Sequence, residues 1–224
     1  MTQRREFIHQ AATSVAALGA LNVAFDPTIR ARAPHSTASA EEWDLSWASR
    51  LKGKHRAVFD VAEVESGFGV YRAAAWADQY ADVLKAAPPE ISPVIVLRAH
   101  ALVLAMQQSF WDKYDVGRIR GATHPVTLQE TTKNPVLLEE RDGLPARLAN
   151  AALHKQLARG VTVLACNLAL QSWIDVIKVK RKVSEDEARK DAIAALVPGV
   201  ILQPSGVFAA SFAQQNGCVY LRVS

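Results

Sequence analysis

The sequence predicts an α/β fold: an open, twisted, mainly parallel five-stranded sheet with helices on both faces, in three layers. Short runs rich in Val, Ile and Leu recur at 56–61, 93–98, 161–166, 200–203 and 218–223, with helix-length segments between them. Two of these runs, Val94-Ile95-Val96-Leu97 and Val161-Thr162-Val163-Leu164, are almost unbroken apolar stretches. Strands covered on both faces read this way, as parallel strands do. The strand–helix alternation is that of a three-layer sheet.

In chain order, residues 1–40 read as an export signal. Thr2-Gln3-Arg4-Arg5-Glu6-Phe7-Ile8 resembles the twin-arginine consensus, a paired Arg followed by a polar residue, Phe and an aliphatic. Residues 11–25 behind it are Ala-rich and uncharged. That stretch is too short to cross a bilayer core of about 30 Å as a helix, so it reads as the apolar part of a signal, not as an anchor. Small-residue sites at Ala31-Arg32-Ala33 and Ala38-Ser39-Ala40 place the expected cleavage near 33 or 40. The expected precursor engages the twin-arginine export machinery, and the expected mature chain is periplasmic with no stable membrane anchor.

Residues 41–54 form a polar lead-in whose Trp43 and Trp47 are expected to pack across the domain edge, and 55–224 form a single domain. Helices are expected at 71–86, 101–114, 145–159, 185–196 and 205–215. In the second, Val103, Met106, Phe110 and Tyr114 recur at steps of three and four as an apolar stripe. Gly160 and Gly217 stand where helix C-caps lead into strands. The connection 115–144 carries Gly117, Gly121, Pro125, Pro135 and Gly143 with little apolar periodicity. A connection of that length is usually functional, here a lid or a segment that pairs with another subunit. The basic run 178–182, followed by the acidic 184–187, reads as a solvated loop and helix start.

A chain of 224 residues, 50% hydrophobic and 21% charged, suits one well-buried core. Half of the formal charge of +4 comes from Arg4, Arg5, Arg30 and Arg32 set against Glu6 and Asp26. The domain itself is near neutral, which excludes the clustered basic face that a nucleic-acid partner requires.

In an open α/β sheet the ligand crevice lies beyond the carboxyl ends of the strands. Glu63, Glu65, Arg98, His100, Cys166, Asn167, Pro204, Ser205 and Gly206 fall there. Cys166 ends a buried strand before a helix, where first-turn amides favour a thiolate. It is a nucleophile or sulfur carrier, or else a small buried hydrophobe. Arg98 with His100 makes an anion site or supplies a base; the alternative is a His at a helix start. Ser205 and Gly206 present amides to an anion, or Ser205 caps the helix. Asn167 is a further ligand-binding candidate. Cys218 starts its strand and, in an all-parallel sheet, sits at the edge opposite Cys166. Cys-x-x-Cys, His-Glu-x-x-His, Gly-x-Ser-x-Gly and Walker patterns are absent, and Gly67-x-Gly69 lacks a third Gly. No metal site and no cofactor are expected from these residues.

Several segments together resemble the DsrE/DsrF-like superfamily, in particular its exported members, from about Val58 to the C-terminus. They are Val94-Ile-Val-Leu-Arg98-Ala-His100 running on to Trp111-Asp-Lys-Tyr114, then Asn134-Pro135, then Gly160-Val-Thr-Val-Leu-Ala-Cys166-Asn, then Leu196-Val-Pro-Gly-Val-Ile-Leu-Gln-Pro-Ser205-Gly206, and Gln214-Gln-Asn-Gly-Cys218-Val-Tyr. In that pattern a His directly follows the Arg, whereas here Ala99 intervenes before His100. The resemblance implies a sulfurtransferase-like fold that assembles into homo-oligomers, with a strand-end Cys carrying persulfide; Cys166 matches that position. It leaves two functional expectations open: sulfur relay or thiol redox through Cys166, and a non-enzymatic small-ligand-binding or assembly module of the same fold.

Overall fold

The computed structural model describes residues 43–224; the expected export signal, with Arg4, Arg5 and both expected cleavage sites, lies outside the described residues. Five strands, β1 (His55–Val61), β2 (Ile91–Leu97), β3 (Thr162–Cys166), β4 (Ile201–Gln203) and β5 (Val219–Arg222), form one sheet in the order β4-β3-β2-β1-β5. Every pairing is parallel. Helix α1 (Phe68–Leu84) joins β1 to β2. Helices α2 (Gln108–Tyr114), α3 (Val116–Arg120), α4 (Ala146–Asn150) and α5 (Leu153–Ala158) lie between β2 and β3. Helices α6 (Asn167–Arg181) and α7 (Glu185–Ala194) lie between β3 and β4, and α8 (Gly206–Gln215) precedes β5. This is the expected three-layer α/β architecture.

The strand order explains the layers. From β1 to β4 the chain steps in one direction, so crossovers of one hand put their helices on one face; β5 then returns to the far side of β1 and carries α8 to the other face. The period of two divides the strand residues accordingly. Phe59, Val61, Ile95, Leu97, Val163 and Ala165 pack with α1, α2 and α6 in the larger core. Val58, Val94, Val96 and Leu164 pack under Ala209, Ala210 and Ala213 of α8. Three alanines let α8 lie close to the sheet, and the lead-in completes this second core. Trp47, fully buried in a 3-10 turn (Ser46–Arg50), meets Phe212 edge-on at 5.6 Å. The lead-in therefore covers a face of the sheet and not merely its edge.

Four local expectations need correction. Segment 101–114 is not one helix: Ala99–Ala105 is a 3-10 helix, and α2 begins only at Gln108. Ala101 to Met106 are all buried, with no solvent face, and the chain at Met106 opens to bridge Leu196. Segment 145–159 breaks at Ala151–Ala152, where the buried Gln156 side chain donates to the Ala151 and Val70 carbonyls. Helix α6 falls outside the expected set, although Leu170, Trp173, Ile174 and Ile177 bury one stripe at helical spacing. The basic run 178–182 is accordingly the last turn of α6, with Lys182 left-handed at φ 54, and not a loop. Cations there complement the helix dipole. Ser184 and Glu187 then close a capping box on α7.

The 115–144 connection is anchored rather than free. Buried Asn134 donates through Nδ2 to the Leu104 and Met106 carbonyls, at 3.1 and 2.8 Å, while Oδ1 accepts from the Val136 amide. The Tyr71 hydroxyl donates to the Pro135 carbonyl. Asn134→Ala strands two buried carbonyls that the 3-10 segment cannot satisfy internally. The expected loss is roughly 2–3 kcal/mol, read as a lower urea midpoint at unchanged slope; a shift within error would show that the connection is held by other contacts.

Candidate functional site

The expected site residues do gather at the carboxyl edge of the sheet, but they separate into two neighbourhoods. The divider is Ala99, which stands in the left-handed region at φ 47 directly after β2. A non-glycine residue pays a steric penalty there. The turn sends Arg98 toward the α8 face and His100 toward the loop that follows β1.

On the α8 face, Arg98 is bound to Asp60 of β1: Nε donates to Oδ1 at 2.6 Å and Nη2 to Oδ2 at 2.8 Å. Tyr220 of β5 donates its hydroxyl to the same Oδ2 at 2.5 Å. Asp60 is 2% exposed. Burial pushes its carboxyl up, but the hydrogen bonds from Arg98 and Tyr220 and the Arg98 charge outweigh burial and hold it below the usual carboxylate range. Gly206, the first residue of α8, packs on the Arg98 stem; a Cβ there would stand 2.4 Å from the Arg98 Cβ. The Arg98 fork is thus committed to Asp60. Ser205 caps α8, its hydroxyl accepting from the Phe208 amide at 3.0 Å.

Cys166 ends β3 beside Gln203 of β4 and is 5% exposed. It is the N-cap of α6, its Sγ accepting from the Ala169 amide at 3.4 Å. Gln203 is fully buried and donates to the Asp44 and Leu202 carbonyls, while its Oε1 has no partner among the described residues. Asn167 accepts from Arg189 at 3.0 Å, which ties the start of α6 to α7. Cys218 precedes β5 at the opposite edge, and both cysteines are free. Burial pushes the Cys218 thiol up to about 11, against a small opposing effect of Arg56, so it stays protonated at neutral pH.

On the other side of Ala99 lies a cleft of about 310 Å3 lined by Glu63, Glu65, Ser66, His100, Arg120 and Thr123. His100 Nδ1 is 2.8 Å from Glu63 Oε2, and both side chains are about half exposed. Glu65, Ser66 and Gly67 take positive φ values of 34, 56 and 80 in succession. Gly67 has no room for a side chain, because a Cβ would meet Val136 at 2.5 Å. The Ser66 and Thr123 hydroxyls hydrogen-bond at 2.5 Å, fastening the loop after β1 to the long connection. Arg120 ends α3 with its guanidinium over the Trp173 ring, 5.5 Å from the centroid, and its buried Nε has no acceptor among the described residues.

Ser66, Arg120 and Thr123 escape a reading by strand ends. Arg120 and Thr123 sit in the aperiodic connection, whose length was the only signal pointing to them. Among the described residues no three His, Cys, Asp or Glu side chains cluster as metal ligands, and no helix is long and apolar enough to cross a membrane. No protein-family model matches the chain, and no curated protein matches it.

The Asp60–Arg98 pair yields a stability prediction. Asp60→Asn leaves a largely buried guanidinium without its counter-charge, at an expected cost of roughly 3 kcal/mol. The cost sits at the low end of such losses because 30% of the Arg98 side chain meets solvent. Since the folded carboxyl titrates below its unfolded value of about 3.9, its stabilisation is complete above that pH and is lost as pH falls through the folded value. Urea titrations at stepped pH should therefore show an acid-side decline in the wild type that is shallower in Asp60→Asn; equal slopes would remove Asp60 from that role.

Proposed function

We propose that this chain is an exported DsrE/DsrF-like protein that relays sulfur through Cys166, working in the periplasm as a homo-oligomer. The supporting observation is the placement of one thiol: Cys166 Sγ ends an inner strand of the sheet and accepts an amide hydrogen at the start of α6, a helix of 15 residues. Helix N-termini favour sulfur as an anion, the nucleophilic form. The unpartnered Gln203 Oε1 on the adjoining strand adds a polar atom at the same edge. Cys218 has no such setting.

The step balances without an external oxidant. The Cys166 thiolate attacks the terminal sulfur of a donor persulfide, the new S–S bond forms as the donor's breaks, and the donor leaves as a thiolate. Transfer to an acceptor thiol repeats the exchange in reverse.

The 5% exposure of Cys166 favours a second reading, a non-enzymatic small-ligand-binding or assembly module of the same fold with Cys166 as packing. Full-length protein treated with glutathione persulfide and weighed intact separates the two. Sulfur relay predicts one added sulfur per chain, removed by dithiothreitol, retained in Cys218→Ser and lost in Cys166→Ser. No addition until the protein is denatured would sink the relay and leave the module.

A further inference from the structure

The cleft beside Ala99 carries charge of both signs in an uneven arrangement. Its carboxylates are Glu63, which faces His100, and Glu65, which lies 3.6 Å from Arg72. Its one guanidinium, Arg120, has no carboxylate partner among the ion pairs of the described residues and is held in place by Trp173. Ser66 and Thr123 place two hydroxyls in the same lining. Apart from His100, the lining sets two carboxylates against one guanidinium. A simple anion would meet Arg120 but be opposed by Glu63 and Glu65, and a simple amine would leave Arg120 unsatisfied. A small molecule with a carboxylate at one end and an ammonium at the other satisfies both. The volume, about 310 Å3, is at the small end of ligand pockets. The walls are also preorganised: positive φ at Glu65, Ser66 and Ala99 fixes two of the loops, and the Ser66–Thr123 bond joins the third.

We propose that this cleft binds a small zwitterion of the α-amino-acid class, its carboxylate taken by Arg120 with the one hydroxyl proton that the Ser66–Thr123 bond leaves free and its ammonium by Glu63 and Glu65. The site deepens the binding-module reading and is independent of the sulfur relay, since Cys166 does not line the cleft.

The test is calorimetric titration of the full-length protein with the proteinogenic L-amino acids one by one, and with propionate and ethylamine as single-charge controls. At least one amino acid should bind, with both controls weaker by about tenfold or more. Arg120→Gln should lose about tenfold or more in affinity. Arg120→Lys, which keeps the charge and the stem over Trp173, should lose less and serves if the first variant does not fold. Glu65→Gln should weaken amino acids while leaving propionate unchanged or tighter. No amino-acid binding at millimolar concentration, or affinity indifferent to both Arg120 variants, overturns the site. Propionate or ethylamine binding as tightly as any amino acid overturns the ligand class while leaving a binding module standing. Cys166→Ser should retain full affinity, so failure of the relay and failure of this site give separate results.

Discussion

Asp60 is an ionised carboxylate on an inner strand, 2% exposed, on the face whose core is otherwise apolar. Desolvating such a group is expensive unless a partner of opposite charge and further donors are already in place. Arg98 meets that need from β2 and Tyr220 from β5, so one carboxylate links the strands on both sides of β1 at the carboxyl edge. The requirement then propagates. Arg98 must lie flat toward β1, which leaves room above it only for a residue without a side chain, and Gly206 starts α8 there. The commitment of Arg98 and the need for glycine at the start of α8 both follow from satisfying one buried charge.

The same commitment shapes the chemistry. A guanidinium already gripped by a carboxylate makes a poor receptor for a small anion. The pair of Arg98 and His100, adjacent in the strand-end reading, is separated by the left-handed turn at Ala99. What replaces it is a division of labour along the edge. The β3–β4 end holds a thiol against helix amides and an unsatisfied amide oxygen. The β1–β2 end holds a polar cleft bounded by strained loops, completed by Arg120, which lies 23 residues past the end of β2. Strain of this kind persists only where surrounding contacts over-determine it, and the Ser66–Thr123 and Asn134 bonds supply those contacts.

The long connection shows where sequence reading reaches its limit. Its glycines and prolines mark turns, and its length singles it out as a candidate functional segment, but its order comes from side chains that satisfy distant backbone groups. Asn134 reaches carbonyls about thirty residues earlier in the chain. A lone Asn before Pro is ordinarily a turn signal, and nothing local says that it is a fully buried bracket. The 101–114 segment fails for a related reason: a run buried on every side has no periodicity to separate a 3-10 turn from an α-helix. Helix α6, by contrast, displays its stripe of Leu170, Trp173, Ile174 and Ile177 in the sequence itself; the basic run at its end obscured it.

Hydrophobic periodicity, a local property, by itself determined the five strands, the doubly covered character of β2 and β3, and the strand-end positions of Cys166, Arg98 and Ser205. Tertiary structure alone decided which of those strand-end groups remain available. It gave Arg98 to Asp60 and Asn167 to Arg189, buried Cys166 to 5% exposure, and brought Arg120 and Thr123 against Glu63, Glu65 and Ser66. The physical reason is that pairing a buried charge or an unsatisfied donor is settled by which groups meet in space, and residues 60, 98 and 220, like residues 66 and 123, carry no pattern in sequence that announces their meeting.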